Sequence, residues 1–162
     1  MCIRDRTLTG NMHHRVARLT QNVVTSLAPA RHLDDVLNVD VLPPEQMPDG
    51  GGVLQADEIT ISSVGEGTKD QAAFEIVAKR NARLEARVLS ARADTILFDN
   101  SKQQFKMQAE SDSRISVTHR TGQAGVYNHY VGKWCEYYRL TDRIRGDFEG
   151  LNWNPQIRGD SQ

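Results

Sequence analysis

A short pattern occurs twice in this chain. Gln55-Ala56-Asp57-Glu58-Ile59-Thr60-Ile61 returns as Arg92-Ala93-Asp94-Thr95-Ile96-Leu97-Phe98. The shared core is Ala-Asp-x-Ile-x-(Ile/Phe), and in both copies the apolar alternation slips at the same place. Leu54 and Ala56 are in one phase, Ile59 and Ile61 in the other. Leu89, Ala91 and Ala93 are in one phase, Ile96 and Phe98 in the other. A strand has a side-chain period of two, so a one-residue slip requires a bulge or a bend. The same bend placed twice predicts a repeated strand unit. The repeated residue types are architectural, which argues against catalysis.

The 162 residues predict one domain with enough chain for a real core. A net charge of −1 gives no global pull toward nucleic acid or anionic membrane. The 38% hydrophobic content suits a thin, one-sided β structure better than a doubly covered α/β core. Met1 to Arg6 resembles a translated sequencing adapter of the kind found at the start of metagenomic reading frames, so residues 1–6 are expected to be non-native. The domain is expected over 7–154, with 53–63 and 89–109 its clearest repeated units and 155–162 a tail. No apolar h-region of a signal peptide follows the first residues, and no apolar run reaches transmembrane length. With Cys2 set aside, Cys135 stands alone, which supports neither a disulfide framework nor a thiolate metal site.

Strand-like stretches are read at Val16 to Thr25, at Val36 to Leu42, and at Phe74, Ile76 and Ala78. Pro43 to Gly52 and Val64 to Asp70 are loops, and Asp99-Asn100-Ser101-Lys102 is a hairpin turn. Phe105 to Ala109, Ile115 to Thr118, Tyr127 to Leu140 and Ile144 to Trp153 supply the remaining strands. One segment competes with this reading. Gln71 to Arg92 is dense in Ala, Arg, Glu and Leu, and propensity alone makes it a helix. Its ending in the repeated unit, and its turn-to-turn spacing, favour strands.

Asn81-Ala82-Arg83-Leu84-Glu85, then Leu89 to Asp99, then Phe105-Lys106-Met107 resembles the OstA-like, LptA/LptC-related lipopolysaccharide transport family. That family shows a Gly-Asn-Val-like start, an Ala-x-x-Ala-Asp-x-Ile-x-Tyr-Asp strand pair and a short turn into a returning strand. Gly10-Asn11-Met12 resembles a second, degenerate start. Arg80 stands where the family usually has Gly, 31–52 looks like an insertion, and the region after Tyr127 has no simple match.

The resemblance implies an all-β fold, an open β-jellyroll (a folded taco) of repeated antiparallel strand pairs. It implies a periplasmic location and a non-enzymatic role, without cofactor or metal, in moving lipopolysaccharide or a similar amphipathic lipid between two membranes. It implies partnership with other Lpt-type jellyroll domains, or further copies of the chain, through edge strands. An acyl chain needs an apolar groove, where burial supplies about 0.8 kcal/mol per methylene. Ile59, Ile61, Leu84, Ile96, Phe98, Phe105 and Met107 are the groove candidates; the same residues could equally pack as a closed core. Arg80, Arg83, Arg87 and Arg92 form a local basic cluster, with Arg83 and Arg87 the candidates for lipid phosphates. An ordinary solvated strand face explains them as well.

Adjacent His13 and His14 point to opposite faces of a regular strand and make a poor metal pair. His32, His119 and His129 are scattered. Asp57 and Asp94 could act as acid and base, but the repeat explains them better as residues satisfying backbone groups at the bend. Tyr127, Tyr130, Trp134, Tyr137, Tyr138, Phe148 and Trp153 lie among Arg139, Arg143 and Arg145. Such a region can stack bases, hold a sugar, form an interface or line the inner face of a late sheet. Near-zero net charge makes nucleic acid the least favoured, and Trp134, Tyr138 and Phe148 are the core candidates. Three readings result: a lipid-conducting jellyroll, a closed interaction module without lipid, and an α+β module with a helix over 71–92.

Overall fold

The structure is a computed structural model that describes residues 2–4, 7–11, 16–27, 46–47, 49–63, 73–121 and 126–154. Among the described residues there are ten strands: β1 (Cys2–Arg4), β2 (Thr7–Asn11), β3 (Val16–Leu27), β4 (Gly52–Ser63), β5 (Phe74–Ala86), β6 (Leu89–Asp99), β7 (Gln104–Gln108), β8 (Ile115–Arg120), β9 (Tyr127–Tyr138) and β10 (Arg143–Asn154). There is no α-helix among the described residues. The helix alternative therefore fails across β5 and β6. Ile76, Ala78, Ala82 and Leu84 are all buried on one face, a period that a sheet neighbour rewards and a helix does not. The expected strand at Val36 to Leu42 lies outside the described residues.

All pairings are antiparallel, and β3 to β6 follow one another across the sheet. β1 and β2 lie end to end along β3. β7 and β8 lie end to end between β6 and β9, and β10 closes the path on β9. The registers of β3 to β6 all shift at one level: between Thr20 and Val23, between Gln55 and Glu58, and between Lys79 and Ala82. The predicted slips sit on this line. On β4 the buried apolar positions run Leu54, Ala56, then Ile59; on β6 they run Ala91, Ala93, then Ile96. The stacked bulges fold each long strand over a corner, so one sheet becomes two facing layers.

The corner on β3 and β5 is made by paired left-handed residues, Gln21 (φ 76) with Asn22 (φ 57) and Arg80 (φ 60) with Asn81 (φ 53). This corrects the expected second start of the repeat. Gly10 and Asn11 lie in β2 opposite Ala17 and Val16, and the structural counterpart of Arg80-Asn81 is Gln21-Asn22. Glu58 sits at the corner, nine-tenths buried, and accepts from Arg18 Nη2 at 2.7 Å and Arg80 Nη2 at 3.0 Å. The Arg18 hydrogen bond leads the causes that hold its carboxyl below the usual range, against the opposing push of burial.

The inner faces of both layers form one apolar cluster, from Leu19 and Val23 through Leu54, Leu84 and Ile96 to Val117 and Tyr137. β9 has its own slip. Tyr130 packs on the cluster before it, and Cys135 and Tyr137 are buried after it. Two expected core residues are thereby corrected. Trp134 and Tyr138 take the outer phase of β9, where Arg145 lies over the Trp134 ring and Tyr138 donates to Glu136 Oε2 at 2.8 Å. Phe148 packs against the cluster, its ring 4.7 Å from that of Tyr130.

Candidate functional site

The interior between the layers is apolar, and the groove candidates lie in it. Ile59, Leu84, Ile96, Phe98, Phe105 and Met107 are buried, and Ile61 is half-buried against them. Phe98 and Phe105 rings are 4.7 Å apart at 30°, and Phe74 meets Phe98 edge-on at 6.2 Å. These side chains touch one another in the structure, so an acyl chain could lie among them only if the layers part. Thr25 is the one polar side chain in the described interior whose hydroxyl finds no partner among the described residues.

Opposite the corner, the layers end in a mouth. There a cavity of about 290 Å³ lies between the loop before β4 with the β5–β6 turn on one side and the start of β7 with the β9–β10 turn on the other. Leu89, Phe105 and Tyr137 give it apolar walls, and Gly50, Arg87 and Arg139 line it too. Arg139 reaches across. Its guanidinium lies 5.7 Å from the centre of the Phe98 ring and against Gly50 of the facing layer. Gly50 has φ +82, and any Cβ there would meet Arg139 Nη2, so both the backbone and the crossing cation require glycine. Arg139 is half-buried, and desolvation pulls its pKa down.

The other charged groups of the mouth are paired. Arg87 donates to Asp49 Oδ1 at 2.6 Å. Asp142 Oδ1 accepts from the Tyr137 hydroxyl at 2.9 Å and meets His119 Nε2 at 2.8 Å. Burial pushes the Asp142 carboxyl up, but the hydrogen bonds of His119 and Tyr137 outweigh it and leave it lowered. Burial, then the hydrogen bond and charge of Asp142, push the Tyr137 phenol up.

The basic cluster of the sequence is dispersed. Arg80 is at the corner on Glu58, and Arg87 is at the mouth. Arg83 is exposed on β5 with Gln55 and Arg92 as its cross-strand neighbours, and it does not line the mouth. Asp57 and Asp94 are separated by β5. Asp57 Oδ2 accepts from the Asn81 amide at 2.9 Å. Asp94 Oδ2 accepts from the Glu110 N–H at 2.6 Å and from the Ser113 hydroxyl. Cys135 is buried, and burial followed by the Glu136 charge pushes its thiol up to about 12. No group of three or more potential metal-ligating side chains occurs among the described residues. His13, His14 and His32 lie outside the described residues. Sequence reasoning named Arg139 among the arginines of the aromatic region but did not set it apart from Arg143 and Arg145. The signal was its position two residues beyond Tyr137 and four beyond Cys135, which puts it in the inner phase once the β9 slip is known.

No protein-family model matches the chain, and no curated protein does. Among solved structures it is similar to LptH from Pseudomonas aeruginosa, described as the LptA-homologous periplasmic component of the conserved lipopolysaccharide transport device. The two are 12% identical with a TM-score of 0.60, over 90% of this chain and 80% of that one. The likeness is one of fold: the path of ten strands is an LptA-like β-jellyroll.

Proposed function

We propose that this chain is a non-enzymatic periplasmic module of lipopolysaccharide transport, taking the acyl chains of lipopolysaccharide or a similar amphipathic lipid between its two layers. The observation that carries the reading is an apolar interior running from the corner to a mouth, within the fold that LptH has. Ile59, Ile61, Leu84, Ile96, Phe98, Phe105 and Met107 are the residues that would meet the chains. Each methylene transferred from water is worth about 0.8 kcal/mol, enough for a multi-chain lipid to offset the side-chain packing that opens when the layers part. Arg87 at the mouth and Arg83 on the outer face of the same layer are offered for lipid phosphates. β10 and the β1–β2 edge, which pair on one side only among the described residues, could extend the sheet into a related domain or a second copy.

A second reading has an observation of its own. The groove candidates touch one another, as they would in a closed module that binds only protein. A photo-reactive residue at Phe98 or Ile61 separates the two when the protein is exposed to lipopolysaccharide. Transport predicts labelling far above that at Lys102, an exposed turn residue. Labelling equal to Lys102 selects the closed module.

A further inference from the structure

The mouth contains a cation, Arg139, with no carboxylate partner among the described residues. Arg139 leaves β9 with its backbone N–H donating to Gln103 O at 3.0 Å, which fixes where the side chain starts. Its guanidinium carbon lies over the Phe98 ring at 5.7 Å from the ring centre. Its N–H edge has no carboxylate partner among the described residues. The two mouth carboxylates are committed elsewhere, Asp49 to Arg87 and Asp142 to His119 and Tyr137. A half-buried guanidinium stays charged, and leaving that charge unpaired is costly. The planar fork matches the oxygens of a phosphate or carboxylate. Directly beside it lie the apolar walls of Leu89 and Phe105.

A second cation is within the same cavity. Among the described residues Arg87 is held only by Asp49, whose side chain is 91% exposed. Such a surface pair is weak, so Arg87 can exchange Asp49 for a better anion. Two cations favour an anion that can carry two charges over a single carboxylate. The carboxylates of Asp49 and Asp142 also line the cavity and oppose any anion, so the site admits one only where Arg139 stands.

The geometry points to Arg139, assisted by Arg87, as the receptor for a phosphate-type anion at the head of an amphiphile whose chain enters along Leu89 and Phe105. This rests on the transport reading for its ligand and adds to it the headgroup chemistry and the residue that selects it. It adds Arg139 to Arg87 as the phosphate contact at the mouth.

The test is binding of n-decyl phosphate, n-decyl maltoside and inorganic phosphate to the whole chain, each below its micellar concentration, by displacement of a fluorescent apolar probe. Decyl phosphate should bind about tenfold tighter than decyl maltoside, the worth of one charge-assisted contact. R139Q should lose that preference while its affinity for decyl maltoside is unchanged; R139K should keep about a third of it, having charge without the fork. R92Q, at an exposed arginine of β6 away from the mouth, should behave as the parent. Inorganic phosphate that displaces decyl phosphate at equal concentration supports the anion site with free phosphate as its source; failure to displace supports the amphiphile. An R139Q or R139K protein with the full preference, or no preference in the parent chain, overturns the inference and leaves the transport reading standing. If neither amphiphile displaces the probe, the inference falls. Crosslinking at Phe98 then decides separately whether transport falls with it.

Discussion

The corner is turned in two ways in this molecule. In β3 to β6 the strands run unbroken over it, taking the bend in bulges and in the left-handed pairs Gln21-Asn22 and Arg80-Asn81. On the far side of β6 the strand is cut in two. β7 stops at Gln108, β8 begins at Ile115, and the chain between them turns away. Asp94 is the device that makes the cut tolerable. Its carboxylate accepts from Glu110 N and Ser113 Oγ in the intervening turn, and Lys133 of β9 donates to Ser111 O at 2.6 Å and Ser113 O at 3.1 Å from the other flank. Asp57, at the same position of the repeat, faces the unbroken β5 and among the described residues binds the Asn81 amide alone. Identical repeat positions thus do different work, decided by whether the neighbouring ladder is whole.

The sharpest way to break this comparison is at β9, where the corner resumes. A Cβ on Gly132 would collide with the Asp147 carbonyl and press on the Phe148 backbone, and neither can move aside as a side-chain tip could. Gly132→Ala should cost about 3 kcal/mol in urea unfolding. A loss below about 0.5 kcal/mol would mean that the ribbon of β9 and β10 is not held as described. Next in size is the pair of aspartates. Asp94→Ala should cost about 1 kcal/mol, because it removes two hydrogen bonds whose donors can turn to water, and should speed amide exchange at 110–114. Asp57→Ala should cost about 0.5 kcal/mol. Equal costs would remove the distinction between the intact and the cut ladder.

Acid should act on the same elements. Burial pushes the Asp99 carboxyl up, but Lys102 and the Ser101 and Lys102 contacts outweigh it and hold it at about 2, against an ordinary 3.8. Hydrogen bonds from Ser113 and Glu110 lower Asp94 as well. A carboxyl depressed in the folded state stabilises fully above its unfolded pKa and loses that contribution as pH falls through the folded one. Stability should therefore be level above pH 4 on account of Asp99 and decline from there to about pH 2, with Asp99→Asn flattening that limb. The smallest effect is at the unbroken corner. Gln21 is exposed at φ 76, so Gln21→Gly should stabilise by about 0.3 kcal/mol, the relief of the left-handed backbone less the entropy that glycine loses on folding. Arg80→Gly should gain less, since it gives up the contact with Glu58. Thermal unfolding of the two variants side by side reads the difference.

The sequence made the corner visible on some strands and hid it on others, for a geometric reason. On β4 and β6 the inner residues step by three across the bend, Ala56 to Ile59 and Ala93 to Ile96, so the alternation visibly slips. On β3 and β5 the left-handed pair takes up the bend, and the inner residues stay four apart, Leu19 to Val23 and Ala78 to Ala82. An even step leaves the period of two intact, and the corner leaves no trace in the pattern. Gln and Arg in the first place of those pairs also lack the signature of glycine. On β9 the error ran the other way. Tyr130, Trp134 and Tyr138 share a phase, but the register against β10 shifts beyond Gly132 and buries Cys135 and Tyr137 instead. The same slip kept Arg139 from standing apart from Arg143 and Arg145, while Ile59, Leu84, Ile96, Phe98, Phe105 and Met107 are buried in the apolar cluster.

Lipid uptake requires the two layers to part. Spin labels at Glu85 and Lys106, exposed on the outer faces of opposite layers, report their separation by pulsed electron resonance without entering the interior. Saturating lipopolysaccharide should move the distance distribution outward as acyl chains lodge among Phe98, Phe105 and Ile96. A distribution that does not move while lipopolysaccharide is bound would place the lipid elsewhere and contradict the account.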